Sequence, residues 1–295
     1  MQLAQMRQIL ASRNLQLTKS LGQNFLHDAN VLKKIAAAAQ LQPTDRVLEV
    51  GPGLGPLTEL LLADAGEVLA IEMDERLLDF LAERWPREPK LTLLHADALA
   101  WLRAHPRDWS AWKLVANLPY SVASPLLIEL AEAQGPPSRC TVTLQHEVVS
   151  RIAAAPDTDE YGLITLLLQL RYTVESRFRI GADCFFPPPE VESSCITLRR
   201  REVPLLSPSE ARTFKRFVKL AFSQRRKKML KLLRQNWPVD RLQAAFELAQ
   251  VSVDERGEKV SLEQYVQMTR FLHVEPTAAP EAGGSPPAPV ENHEN

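Results

Sequence analysis

Residues Asn117-Leu118-Pro119-Tyr120 bring together groups that could hold a planar amine for transfer chemistry. The Asn117 amide oxygen can accept one N–H, the Leu118 carbonyl ahead of Pro119 can accept a second, and Tyr120 offers a ring face on which an aromatic base can stack. An exocyclic adenine amine needs such holding. Its lone pair is delocalised into the ring, so attack requires both N–H groups to be fixed and the nitrogen to be aimed at an electrophile. The tetrapeptide follows the apolar stretch Trp112 to Ala116, which reads as a buried strand. The carboxyl ends of strands are where open α/β sheets bind their ligands.

Upstream, Arg46 to Val50 reads as a short buried strand running into Gly51-Pro-Gly53-Leu-Gly55-Pro56, and Leu57 to Ala65 as the helix that follows. The dinucleotide fingerprint wants G-x-G-x-x-G, whereas this loop is G-x-G-x-G followed by proline, so a nicotinamide cofactor is disfavoured. Pro56 suits the first helical turn, where its missing N–H would have had no intrahelical partner. A second strand, Glu67 to Ile71, ends on Glu72, whose carboxylate can take both hydroxyls of a ribose. A third, Leu91 to Leu94, leads to Asp97, a possible acceptor for the amine of a cofactor's own adenine. Glu49 could either brace the loop or touch the cofactor. The order of glycine loop, acid, acid and Asn-Leu-Pro-Tyr matches the ligand path of an S-adenosylmethionine methyltransferase.

Three further motifs make the pattern specific: Lys19-Ser-Leu-Gly-Gln-Asn-Phe-Leu26, Phe185-Phe-Pro-Pro-Pro-Glu-Val-Glu-Ser193 and Phe222-Ser-Gln-Arg-Arg-Lys227. With them the chain resembles the ribosomal RNA adenine N6-dimethyltransferases, the KsgA or RsmA family. The resemblance implies dimethylation of two adjacent adenosines near the 3′ end of small-subunit rRNA, with S-adenosylmethionine as cofactor and no metal. By similarity, Asn24, Leu26, Gly51, Glu72, Asp97 and Asn117 would contact the cofactor, while Asn117 to Tyr120 and Phe185 would hold the target adenine. It also implies a cytoplasmic enzyme, monomeric, working on an assembling small-subunit particle. Ala116, His146, Glu190, Asp157 and Asp159 depart from the family pattern, the last four at positions that bear on RNA-facing charge. Two neighbouring enzyme classes share parts of the pattern: erythromycin-resistance-type large-subunit rRNA methyltransferases, and glutamine methyltransferases, which carry Asn-Pro-Pro-Tyr. A non-catalytic RNA-binding assembly factor is the third alternative, disfavoured by the intact Glu72, Asp97 and Asn117.

A net charge of −1 is unusual for an RNA partner, but it is unevenly spread. From Arg199 to Arg234 thirteen basic residues face only Glu202 and Glu210, a local excess of eleven positive charges and a footprint for phosphates. Arg225, Arg226, Lys227 and Lys228 are its densest run and the candidate RNA contacts. Cys140, Cys184 and Cys195 form no C-x-x-C pair, which argues against a zinc site or a disulfide framework. No apolar run approaches membrane-spanning length, and no basic-then-apolar signal segment follows Met1.

The elements that must position these residues follow from the punctuation. Alternating strand and helix patterns predict a Rossmann-like α/β methyltransferase sheet over 28–202, preceded by an arm over 1–27. Tyr172 to Ile180 and Ser194 to Arg200 lie too close in sequence for a helical crossover, so they should pair antiparallel and end the sheet. Apolar residues at helical spacing predict a small all-helical C-terminal domain over 203–273. Residues 274–295, acidic and rich in Pro, Ala and Gly, read as a disordered tail.

Overall fold

A computed structural model of the protein describes residues 1, 3–15, 24–224 and 226–273. Arg225, most of the Lys19 to Leu26 motif and the expected tail lie outside them. Five parallel strands form the core of the molecule: β2 (Arg46–Val50), β3 (Glu67–Glu72), β4 (Leu91–His95), β5 (Trp112–Asn117) and β6 (Arg139–Gln145). Two more, β7 (Tyr172–Ile180) and β9 (Ser193–Arg200), pair antiparallel and complete a seven-stranded sheet of order β4-β3-β2-β5-β6-β9-β7. The second strand of that pair lies inside and the first forms the edge.

Because side chains alternate across a strand, the sheet buries both faces. Leu48, Leu114, Ala116, Val142 and Ile196 point to one core, under α5 (Ala98–Ala104) and α6 (Tyr120–Glu132). Val47, Val68, Val115 and Cys195 point to the other, under α2 (Ala29–Ala39) and α3 (Pro56–Asp64). The α2 helix starts where the Asp28 carboxylate accepts from the Asn30 and Val31 amides, and α3 starts with Pro56 in its first turn. Between β2 and β5 the strand order reverses, since β3 and β4 lie to one side and β6 to the other. Such a switch point opens a crevice outside the carboxyl ends of the two strands.

A second, two-stranded sheet pairs β1 (Phe25–Leu26) with β8 (Phe185–Phe186), in register Phe25 to Phe186 and Leu26 to Phe185. It ties the segment after the N-terminal arm, which reaches the crevice at Phe25, to the proline-rich loop. The first helix, α1 (Leu3–Ser12), buries Met6 and Leu10 against Phe25, Leu54 and the inner face of α4 (Glu75–Arg84), which presents Leu77, Phe80 and Leu81.

Beyond the sheet, α9 (Pro208–Ala221), α10 (Met229–Leu233), α11 (Val239–Leu248) and α12 (Leu262–Leu272) pack around Phe214, Phe217, Phe246 and Tyr265. That cluster continues through Tyr161, Leu166, Leu167 and Leu170, so the C-terminal helices share one core with α8 (Leu163–Gln169). The loop between α7 (His146–Ile152) and α8 carries the acidic residues before Gly162. In it the Tyr161 hydroxyl donates to the Val260 carbonyl at 2.9 Å, and the Asp157 amide donates to the Glu258 carbonyl at 2.8 Å. The loop is thus fastened to the helical region. Among the described residues no helix is long and apolar enough to cross a membrane.

Candidate active site

A cleft of about 270 Å³ opens at the switch point, and Asn24, Gly51, Glu72, Asp97, Leu118 and Tyr120 are among the residues that line it, with Asn117 and Pro119. Parallel strands bring these together because each ends at the same edge of the sheet: Gly51 follows β2, Glu72 closes β3, Asp97 follows β4 and Asn117 closes β5.

The glycines have backbone reasons to be glycine. Gly51 and Gly53 have φ of +70° and +60°, where a side chain is strained. A Cβ at Gly51 would come within 3.3 Å of the Pro119 ring, and one at Gly53 within 2.7 Å of the Phe25 ring. The glycine loop, the Asn-Leu-Pro-Tyr motif and the segment after the arm therefore fit against one another.

Glu72 is only 6 % exposed. One of its carboxylate oxygens accepts from the Gly53 amide at 3.1 Å, the other from the Met73 and Asp74 amides at 2.9 and 3.0 Å. Burial raises its pKa, and these backbone donors oppose that rise. The oxygen that accepts from Gly53 has a single donor and keeps acceptor capacity toward the cleft. Asp97 caps α5 by accepting from the Ala100 amide at 2.9 Å through one oxygen, leaving the other for a ligand.

Asn117 carries the most informative geometry. Its Nδ2 donates to the Asn24 carbonyl at 3.0 Å, which fixes the amide orientation. Its Oδ1 is buried and has no hydrogen-bond partner among the described residues. An acceptor held in place and left unmatched in a closed site is costly unless something donates to it. The Tyr120 hydroxyl is bonded to the Ser193 hydroxyl, and burial raises its pKa, so it remains a neutral phenol at physiological pH.

The structure corrects one assignment implied by the resemblance and leaves the side chain of another residue, Leu26, outside the cleft lining. Phe185 does not face the cleft: its ring is 2 % exposed and packs in the core with Leu26, Ile35 and Ile180. Pairing with β1 dictates this, because adjacent residues of β8 point opposite ways and Phe186 takes the outer position, with the Arg7 guanidinium 5.0 Å from its ring. Leu26 is buried in the same core, so the N-terminal segment reaches the cleft through Asn24 and Phe25 instead. Glu49 turns away from the cleft lining. Burial pushes its carboxyl up to about 8, the Thr58 hydroxyl opposes this, and the nearby Glu72 charge adds to it.

Sequence reasoning missed Phe25, Met73, Leu99 and Val122 in the lining. Met73 could have been found from its place directly after the strand-end acid. Being 53 % exposed, it is an apolar surface suited to a flat ring.

The basic region is less uniform than its sequence. Arg200 donates to the Ser110 and Pro136 carbonyls, Arg201 to the Gln169 carbonyl, and Lys215 pairs with Glu132 at 2.6 Å. Arg216 lies over the Trp237 ring, and Lys228 pairs with Asp254 at 2.7 Å. Exposed Arg226 and Lys227 stand with Lys228 in the bend between α9 and α10, not on a helix face.

This sheet order, with acids at the ends of two strands and an amide opposite a glycine loop, defines a class I methyltransferase shaped for an amine on an aromatic base. The family model for ribosomal RNA adenine dimethylase matches residues 14–273, and the chain belongs to that family. It is 35 % identical to the ribosomal RNA small subunit methyltransferase A of Ligilactobacillus salivarius, covering 90 % of this chain and 93 % of that one. It is 39 % identical to the protein of the same name from Prosthecochloris aestuarii over 77 % of this chain and 85 % of that one. Among solved structures it is similar to the 23S rRNA methyltransferase ErmE, at 28 % identity and a TM-score of 0.67, covering 84 % of this chain and 99 % of that one. A dimethyladenosine transferase from Plasmodium falciparum, at 23 % identity and a TM-score of 0.72, shares the fold, covering 83 % of this chain and 95 % of that one.

Proposed function

We propose that this protein dimethylates N6 of two adjacent adenosines near the 3′ end of small-subunit rRNA, using S-adenosylmethionine, and acts on the assembling small subunit in the cytoplasm as a monomer. The observation that carries the reading is the buried, unmatched Oδ1 of Asn117, fixed by the Asn24 carbonyl and set at a cleft of the right polarity. The residues present suit the cofactor. Gly51 and Gly53 let the loop turn tightly against Pro119 and Phe25 at the cleft wall, Glu72 offers an acceptor oxygen for the ribose hydroxyls, Asp97 offers one for an adenine amine, and Met73 offers an apolar surface.

When bound, S-adenosylmethionine supplies a methyl group made electrophilic by its positively charged sulfur. Asn117 and the Leu118 carbonyl accept the two N–H groups of the target amine and so orient its nitrogen. Their acceptance strengthens as that nitrogen becomes tetrahedral and positive, which is where transition-state stabilisation arises. Tyr120 stacks against the base, which must leave its own stack to enter. The Tyr120 hydroxyl, neutral and held by Ser193, stays out of proton transfer, and the methylated amine loses its proton to water. Arg226, Lys227 and Lys228, with Arg225 beside them in sequence, provide a second surface for RNA phosphates.

The test is transfer of labelled methyl from S-adenosylmethionine to purified small and large ribosomal subunits that lack the modification, followed by nucleoside analysis. N6-dimethyladenosine in small-subunit rRNA alone is the expected result. Label confined to large-subunit rRNA would replace the reading with the erythromycin-resistance type, and no label in either would reject catalysis.

A further inference from the structure

The carboxyl edge of the sheet continues past Tyr120, across β6 and β9, to the edge strand β7. There a second cleft of about 410 Å³ opens, lined by His146, Ser150, Arg177, Arg179 and Ser194. Arg177 and Arg179 stand two residues apart on β7, so they leave the same face of the strand, and both are exposed.

His146 is held from two sides. Its Nδ1 lies 2.9 Å from the Ser194 hydroxyl, and its Nε2 lies 3.2 Å from Nη2 of Arg179. A guanidinium can only donate, so Nε2 accepts and Nδ1 carries the proton that it gives to Ser194. The neutral ring thereby props Arg179 at the cleft. At this rim Glu192 pairs with Arg179 at 3.1 Å while both side chains are well exposed. Exposed pairs of this kind contribute little and exchange readily for a better anion.

Both sites meet at the start of β9: Ser193 holds the Tyr120 hydroxyl, and the next residue, Ser194, leaves the opposite face of the strand and holds His146, both serines being buried. An extruded base brings its flanking phosphates to the carboxyl edge of the sheet, where this cleft also opens.

We propose that this second cleft seats a backbone phosphate of the RNA strand next to the adenosine held at Tyr120, with Arg177 and Arg179 as its ligands and His146 as the residue that positions Arg179. The proposal rests on the rRNA reading above. Two guanidinium forks beside one replaceable carboxylate suit a phosphate, and a phosphate contact sets register without reading sequence.

The test uses the full chain and a synthetic RNA hairpin whose loop carries two adjacent adenosines. In Arg177→Gln/Arg179→Gln, affinity should fall on the order of tenfold, as for removal of a charge-assisted hydrogen bond. The slope of log affinity against log salt should flatten by roughly 0.7, one single-strand phosphate. Replacing the linkages that flank the adenosines with neutral methylphosphonates should weaken wild-type binding similarly and the double variant no further. Glu192→Gln, which removes the competing carboxylate, should tighten binding, a sign that a merely destabilised variant would not give. An unchanged slope, or methylphosphonate losses that add fully to those of the variant, would overturn the cleft as a phosphate seat. Methyl transfer by the wild-type protein to small subunits is measured in parallel. Its absence would refute the underlying function, while its presence with an unaltered double variant would refute this cleft alone.

Discussion

The active-site cleft and the basic stretch from Arg199 to Arg234 make opposite use of sequence. In the cleft, residues far apart in the chain converge, because parallel strands all deliver their carboxyl ends to one edge of the sheet. In the basic stretch, residues close in the chain disperse. Arg200 serves loop carbonyls, Arg201 the carbonyl that ends α8, and Lys215 serves Glu132, while Arg226 and Lys227 remain at the surface. Topology gathers the chemistry in the first region, and in the second some cations are taken up by acceptors that the fold brings near while others stay at the surface, so a count of charges does not describe a patch.

The comparison can be broken most severely at Asn117. Asn117→Ala should lower the single-turnover transfer rate by about a hundredfold or more, as for removal of one transition-state acceptor. A rate near wild type at saturating RNA and cofactor would remove the amide from the chemistry. Glu72→Ala should weaken S-adenosylmethionine binding by about 2 kcal/mol, because it removes a charged acceptor and releases the Gly53 amide. Unchanged affinity by calorimetry would cancel that assignment.

Glu49 tests the buried side of the same loop. Its folded pKa of about 8 lies above the ordinary 4.5, so the folded protein keeps a proton that the unfolded chain has released. The stabilisation is complete below about 4.5 and is lost as pH rises through about 8. Wild-type stability should therefore drop by up to roughly 3 kcal/mol between about pH 6 and 9. Glu49→Gln should flatten that dependence in denaturant titrations, and parallel curves for the two proteins would contradict the account.

Two variants sharpen the contrast within the basic stretch. Arg200→Ala should cost about 1.5 kcal/mol of stability, since it strips a charged donor from two carbonyls, without changing the salt dependence of RNA binding. Arg226→Gln/Lys227→Gln should do the reverse, leaving stability intact and flattening the salt slope by roughly 0.7 for each single-strand phosphate that is no longer bound. The same outcome for both variants would erase the distinction.

The sheet, the antiparallel ending and the C-terminal helices were legible because each has a period of its own, two for strands and near four for the helix over Phe214, Phe217, Val218 and Ala221. The cleft was legible through strand-end residues such as Glu72 and Asn117. The two-residue pairing of Phe25–Leu26 with Phe185–Phe186 was not, since so short a strand has no periodicity and its register is set by a partner far away in the chain. That register decides which phenylalanine is buried, and so the motif suggested a stacking ring where the structure has a core residue. The fates of Arg200 and Arg201 were hidden for a similar reason: the carbonyls they bond belong to a loop and to the end of α8, which only the folded chain brings near.

The central claim is that one cleft at the switch point methylates adenosine N6 in small-subunit rRNA through Asn117. Mass-spectrometric mapping of rRNA from cells expressing the wild-type chain, no chain, or Asn117→Ala tests it most directly. The account predicts N6-dimethyladenosine at two adjacent positions near the 3′ end of small-subunit rRNA with the wild type only. Full dimethylation in cells lacking the protein, or undiminished dimethylation with Asn117→Ala, would contradict it.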